Sequence, residues 1–109
     1  MNLVDWKKYA LEKYGYEMLG TFATDFDVAE SFGAATVCDT FRRAFAEWRT
    51  EYRYLTELIL TLGWKSHQQY QAGNVTLSQL YADLWAEADA WACNNLQGKD
   101  LEYFYRVTD

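Results

Sequence analysis

The chain contains no proline, two cysteines and a single histidine among its 109 residues. Absence of proline excludes proline-rich linkers and removes the strongest breaker of helices. Cys38 and Cys93 lie far apart in sequence and are too few for a disulfide framework, so we expect two free thiols. The lone His67 has no acid or cysteine at a metal-ligand spacing around it. We therefore predict neither a metal ion nor another cofactor.

Long hydrophobic runs and catalytic motifs are also missing. The first twenty residues, MNLVDWKKYALEKYGYEMLG, carry charges every few positions and predict neither a signal peptide nor a membrane span. No glycine-rich phosphate loop is present, and no serine or cysteine has a base beside it in sequence. Asp83 and Glu87 are one helical turn apart, a spacing more typical of a solvated helix face than of an acid–base pair. These absences favour a cytoplasmic protein that is not an enzyme.

Hydrophobic residues make up 50% of the chain and aromatic residues 18%. A chain of this length can bury one core of modest depth, and much of the buried area should come from large rings. The six glycines are scattered, so no linker or internal repeat is indicated. We predict one helical domain over residues 1–109.

Apolar residues at spacings of three and four predict helices along most of the chain. A first helix is predicted over residues 3–14, ending near Gly15. Thr24 and Asp27 resemble a capping pair, which predicts a short second helix that begins there and ends near Gly33.

The strongest periodic segment follows. One apolar seam stays in phase over residues 35–71, and it predicts either one long helix or two helices with a break near Thr50. We favour the break, because an unbroken helix of that length would exceed the usual span of so small a domain. Thr76 and Gln79 then form a capping box that predicts another helix over residues 77–96.

The last segment predicts one or two more helical turns from Asp100, with Gly98 as the C-terminal cap of the helix before it. No strand pattern has partners with which to form a sheet. The predicted fold class is all-α, an irregular bundle of four to five helices with short connections. Five residues on the two most periodic segments are predicted to share one core: Trp48, Leu55, Ile59, Leu84 and Trp91.

Charge is unevenly distributed along the chain, whose net charge is −6. Residues 14–41 contain five acids and no base, and residues 66–98 contain three acids and no base. Residues 42–65 carry five bases against three acids. The chain as a whole should repel nucleic acid, although its central segment offers a local basic strip.

The segment VAESFGAATVCDTFRRAF raises the alternative of a degenerate helix-turn-helix over residues 25–45. Ala29 and Gly33 stand where that motif needs small residues at its corner. Asp39 occupies a position that should be apolar, and the acids of the preceding helix would lie near phosphates. We therefore favour a structural corner and expect weak or no binding to duplex DNA.

Four segments, TDFDVAESFG, DTFRRAFAEW, YLTELIL and LEYFYRVTD, resemble a small family of acidic proteins carried on conjugative elements and prophages of gut Firmicutes. The resemblance covers about residues 16–109 and leaves the first helix outside it. It implies no activity and no catalytic residue. It implies a setting in which small proteins bind and block or regulate host proteins, including restriction and CRISPR machinery.

The leading hypothesis is therefore a non-enzymatic accessory or inhibitor protein that binds a host or element-encoded protein. The alternatives are a DNA-binding regulator and a structural homo-oligomer, such as a homodimer formed through the long seam. Consecutive rings in LEYFYRVTD cannot all face one core, so at least one should face outward and anchor an interface beside carboxylates. The interface candidates are Tyr103, Tyr105, Glu102, Asp25, Asp27 and Glu30.

Overall fold

The computed structural model describes residues 2–108 and forms six helices, with no strand in that range. The predicted all-α class is confirmed, and the expected four to five helices are one or two fewer than the six described. The helices are α1 (Leu3–Tyr14), α2 (Thr21–Glu30), α3 (Ala34–Trp48), α4 (Tyr52–Gln71), α5 (Val75–Asn95) and α6 (Gly98–Thr108).

Helix α1 has the bounds that its apolar spacing predicts. The Asn2 side chain caps it by accepting a hydrogen bond from the backbone N–H of Asp5 at 2.9 Å. Gly15 ends it with φ of 67°, a left-handed conformation that glycine adopts without a steric penalty.

Helix α2 begins one turn before the predicted start, so the expected cap at Thr24 is wrong. The Thr24 hydroxyl lies inside the helix and donates to the carbonyl of Gly20. The carboxylate of Glu57, which reaches across from α4, accepts from the backbone N–H groups of Leu19 at 2.9 Å and Gly20 at 3.1 Å. A distant acid thus replaces the local cap, and its negative charge lies at the positive end of the helix dipole.

The break near Thr50 is confirmed. Helix α3 ends at Trp48 and α4 begins at Tyr52, and the short connection is closed by the Glu51 N–H donating to the Trp48 carbonyl at 2.9 Å. The break lets the apolar seam fold back on the rest of the bundle instead of extending beyond it.

Asn74, and not Thr76, caps helix α5. The Asn74 side chain accepts from the Leu77 N–H at 3.1 Å, and the helix begins at Val75. Val75 is therefore the first residue of the helix, and its side chain is 64% exposed. The capping box is displaced because Asn74 occupies the cap position two residues earlier.

A pair of substitutions tests this assignment. Asn74→Ala should lower the free energy of unfolding by about 1 kcal/mol, because one N–H in the first turn loses its acceptor. Thr76→Ala should change it by less than about 0.5 kcal/mol, since Thr76 lies exposed within the first turn. Urea unfolding of both variants gives the comparison, and a larger loss for Thr76→Ala would restore the predicted capping box.

Gly98 begins helix α6 instead of capping α5. Helix α5 ends at Asn95, Leu96 follows with an extended backbone, and Gly98 adopts φ of 59° at the start of α6. With only two residues between the helices, α6 begins two residues before the expected Asp100 and continues to Thr108, which makes it longer than the one or two turns expected from the sequence.

Helix α4 lies at the centre of the bundle and packs against α2, α3, α5 and α6. Leu55, Ile59 and Leu84 are buried in the main core, as predicted. Trp48 and Trp91 pack against that core but stay half-buried, so the prediction of full burial holds for three of the five residues. A radius of gyration of 13.2 Å is typical of a compact chain of about 100 residues.

Candidate functional site

Two of the predicted interface acids form ion pairs with a buried lysine. Lys65 on α4 is only 1% exposed, and its ammonium contacts Asp27 at 2.5 Å and Glu30 at 2.7 Å. The Gln68 side chain accepts a further hydrogen bond from it at 2.8 Å. Asp27 and Glu30 therefore hold α2 against α4, and their carboxylates are already engaged within the chain.

Tyr81 extends this cluster to α5. Its hydroxyl donates to Glu30 at 2.6 Å, and the Gln69 amide donates to the other oxygen of the same carboxylate at 3.1 Å. Burial first, and then the bond to Glu30, raises the pKa of Tyr81 well above its ordinary value. The phenol therefore remains a donor across the physiological pH range, and the cluster joins three helices.

The other candidates on α6 lie on a different part of the molecule from α2. Tyr103 is half-buried and packs edge-to-face on Tyr52, while Glu102 and Tyr105 are exposed. Phe104, between the two tyrosines, is buried in the core. Helix α6 packs on α1, α4 and α5, whereas α2 packs on α3 and α4. Asp109, the last residue of LEYFYRVTD, lies outside the described residues.

The corner between α2 and α3 is where the sequence suggested a DNA-binding motif. Gly33 makes the turn with φ of 111° and caps α3 through its backbone. Arg42, in the basic strip, forms an ion pair with Glu87 of α5, and the bond to that carboxylate raises the pKa of the guanidinium. One of the two adjacent arginines thus already has a carboxylate counter-charge within the protein.

A groove of about 710 Å³ runs along this corner, between α2 and α3. Phe32, in the turn after α2, is 75% exposed and Val28 is 58% exposed, and both of these apolar side chains line the groove. Asp25 is the one predicted interface residue that lines it. We call this surface the corner groove; its lining residues are Thr21, Phe22, Asp25, Val28, Ala29, Phe32, Thr36, Thr40, Arg43, Ala44, Glu47 and Trp48.

A second and slightly larger cleft, of about 780 Å³, is bounded by residues of α1, α4, α5 and α6. We call it the aromatic cleft, because five rings line it. Trp6 and Trp64 stack at 5.3 Å with planes 6° apart, and the rings of Tyr9 and Tyr14 stand nearly perpendicular at 6.1 Å. The lining residues are Trp6, Tyr9, Tyr14, Ile59, Leu60, Gly63, Trp64, His67, Gln68, Gln71, Trp85 and Thr108.

Gly63 stands in the wall of the aromatic cleft, in the middle of α4. A glycine inside a helix costs about 0.5 to 1 kcal/mol relative to alanine. An added Cβ here would meet Trp85 Cδ1 at 3.7 Å, which is ordinary van der Waals contact. Close packing therefore does not require a glycine at this position, and the residue leaves the cleft one methyl group wider.

The polar groups of the aromatic cleft are few. His67 is exposed at its edge, and two glutamines of α4 provide amides. The Trp6 indole N–H is buried and has no acceptor within residues 2–108. The same range holds no group of three or more histidine, cysteine or acidic side chains placed to bind a metal ion. Both cysteines are free thiols, as expected.

Comparison with known protein families, with curated proteins and with solved structures finds no match to this chain. None of the helices described is both long and apolar enough to cross a membrane.

Sequence reasoning missed the aromatic cleft and most of the corner groove. The cleft combines residues from the first, middle and last parts of the chain, so no local spacing could reveal it. Gly63 was the one available signal, because a glycine interrupts the most strongly periodic helix in the sequence. The exposure of Phe32 could not be predicted either, since the same residue would suit a buried corner.

Proposed function

We propose that this protein is a non-enzymatic accessory or inhibitor protein that binds a protein partner through the corner groove. The observation that carries the proposal is the exposure of Phe32 and Val28, which both line the groove between α2 and α3. Exposed apolar side chains within a polar rim are typical anchors of protein interfaces.

The shape of the groove favours a helix of the partner as the bound element. Two neighbouring helices of the chain form its walls, and Trp48 and Ala44 provide apolar area between them. An amphipathic helix binds such a groove through apolar residues spaced by one helical turn. Phe32 would supply the large ring that such interfaces use as an anchor.

The charges at the rim favour a partner helix with a basic side. Asp25 and Glu47 line the groove with one base, Arg43, and the chain carries a net charge of −6. Complementary charge speeds association and orients the partner. These same acids would oppose the approach of a phosphate backbone, which supports a protein partner over DNA.

The resemblance to small acidic proteins of conjugative elements and prophages supports the proposed setting. In that setting the partner is a host or element-encoded protein of the cytoplasm, and a defence protein is one such target. The residues of the corner groove overlap two of the segments that carry the resemblance, TDFDVAESFG and DTFRRAFAEW.

The test is a capture experiment with a surface variant. Val28→Ser with Phe32→Ser should abolish capture of the specific partner from a Firmicutes host lysate, as identified by mass spectrometry. Because both side chains are exposed, the free energy of unfolding should change by less than about 0.5 kcal/mol per site.

A matched control replaces two other exposed apolar residues, Val4 and Leu11 of α1, by serine. The control should retain the partners of the unmodified chain. Identical partners for the groove variant and the control would overturn the proposal. A duplex DNA captured at physiological salt, and lost with Arg43→Glu, would replace it with the regulator hypothesis.

A further inference from the structure

We propose that the aromatic cleft binds a small solute that carries a quaternary ammonium group, of the choline class. This site is separate from the corner groove, and the inference goes beyond the proposed protein interface. The cleft volume of about 780 Å³ lies within the range of small-molecule sites, about 300 to 1,000 Å³.

The rings supply the chemistry that a weakly hydrated cation prefers. A quaternary ammonium is attracted electrostatically to the faces of Trp and Tyr rings, and several rings around it form a cage. Tyr9, Tyr14 and Trp85 line the cleft with partly exposed rings. Trp6 and Trp64 also line it, but they are 5% and 7% exposed and stack on one another. The nearly perpendicular Tyr9 and Tyr14 rings provide two walls that meet at a right angle.

The cleft lining contains no carboxylate, and this favours binding of a methylated ammonium over a primary one. Where this chain buries the primary ammonium of Lys65, two carboxylates and an amide accept its hydrogen bonds. The residues that line the aromatic cleft include no acid. A primary ammonium would leave its three N–H donors without a charged acceptor there, whereas a trimethylated one has none to satisfy. The net charge of −6 still attracts cations to the protein as a whole.

One ammonium of the chain lies near two of these rings, although Lys13 itself is not among the residues that line the cleft. Lys13 Nζ is 5.3 Å from the centroid of the Tyr9 ring and 5.4 Å from that of Tyr14. The same two rings can therefore accommodate a positive charge. Lys13 is exposed and lies outside the cleft lining, so a solute cation in the cleft does not have to displace it.

Gly63 widens the cleft beside Trp85. The glycine destabilises the centre of α4, and packing in the absence of a ligand leaves space for a methyl group. The glycine thus leaves room for one methyl group of a ligand against the Trp85 ring.

The experiment titrates the unmodified chain with choline chloride, with its uncharged carbon isostere 3,3-dimethylbutan-1-ol, and with sodium chloride at matched ionic strength. Tryptophan indole N–H signals in a ¹H–¹⁵N spectrum report binding. Choline should shift the Trp85 signal saturably, with an affinity about 3- to 30-fold above that of the isostere. Equal affinities would overturn the inference and leave an apolar cleft, and so would the absence of a saturable shift. Tighter binding of a trimethyllysine peptide than of choline would overturn the assignment to a small solute.

Two pairs of variants sharpen the result. Trp85→Ala should weaken choline binding by about 10-fold, whereas Tyr70→Ala, an exposed ring outside the cleft, should leave it unchanged. Lys13→Gln should strengthen choline binding at least about two-fold by removing a positive charge close to the Tyr9 and Tyr14 rings, whereas Lys8→Gln, on the same helix, should not. Equal effects within either pair would contradict the inference. Gly63→Ala should fold normally and weaken binding of choline.

Discussion

Replacing Lys65 by methionine is expected to lower the free energy of unfolding by about 3 to 5 kcal/mol. Methionine keeps most of the apolar stem but removes the ammonium, so the carboxylate of Glu30, with its side chain 18% exposed, loses its counter-charge. The contact with Asp27 contributes less, because that side chain is 54% exposed and water screens the pair. Chemical unfolding monitored by circular dichroism measures the loss.

The matched control is Lys8→Met, which removes an exposed lysine from α1 and should change stability by less than about 0.5 kcal/mol. Adding Glu30→Gln to Lys65→Met should recover part of the loss, because it neutralises the carboxylate left without a partner. A loss below about 1 kcal/mol for Lys65→Met would mean that water reaches the ammonium and that the cluster is an ordinary surface pair.

Glu57→Ala is expected to lower the free energy of unfolding by about 2 to 4 kcal/mol, since it leaves two backbone N–H groups without their acceptor. Glu57 is 1% exposed. Within residues 2–108, its carboxylate is the acceptor described for the backbone N–H groups of Leu19 and Gly20. Amide hydrogen exchange should show where the loss arises, because those two amides should lose protection before the centre of α4 does.

Glu12→Ala, an exposed acid on α1, provides the control and should be close to neutral. Glu57→Gln should give an intermediate loss, because the amide keeps one acceptor oxygen but turns an N–H₂ group toward a second donor. Unchanged exchange at Leu19 and Gly20 in Glu57→Ala would show that the carboxylate does not cap α2.

Local patterns predict the helices well where the determinants are local. The apolar stripe and Gly15 place α1 correctly, and the length argument places the break near Thr50. The start of α2 is wrong because its cap comes from Glu57, on another helix. The start of α5 is wrong for a smaller reason, since Asn74 and Thr76 are both good caps and the sequence does not rank them.

The binding surfaces could be predicted only in small part. Asp25 was expected at an interface and lines the corner groove, but Asp27 and Glu30 face Lys65, a partner 38 and 35 positions away in sequence. Three acids that lie close together in sequence thus have different roles, because one lines the groove and two form ion pairs with Lys65. The packing of α2 on α4 determines which acids form those ion pairs.

The cap that Glu57 provides also constrains the order in which the chain can fold during synthesis. Its carboxylate stands 38 residues after the Leu19 amide that it binds, and Lys65 stands 38 residues after Asp27. As the chain leaves the ribosome, α2 appears before either residue that fixes it, and closing such a loop carries an entropic cost. Helix α2 therefore becomes fully stable only when α4 has formed and packed against it. The cap of α5, in contrast, is the residue directly before that helix, so it requires no distant partner.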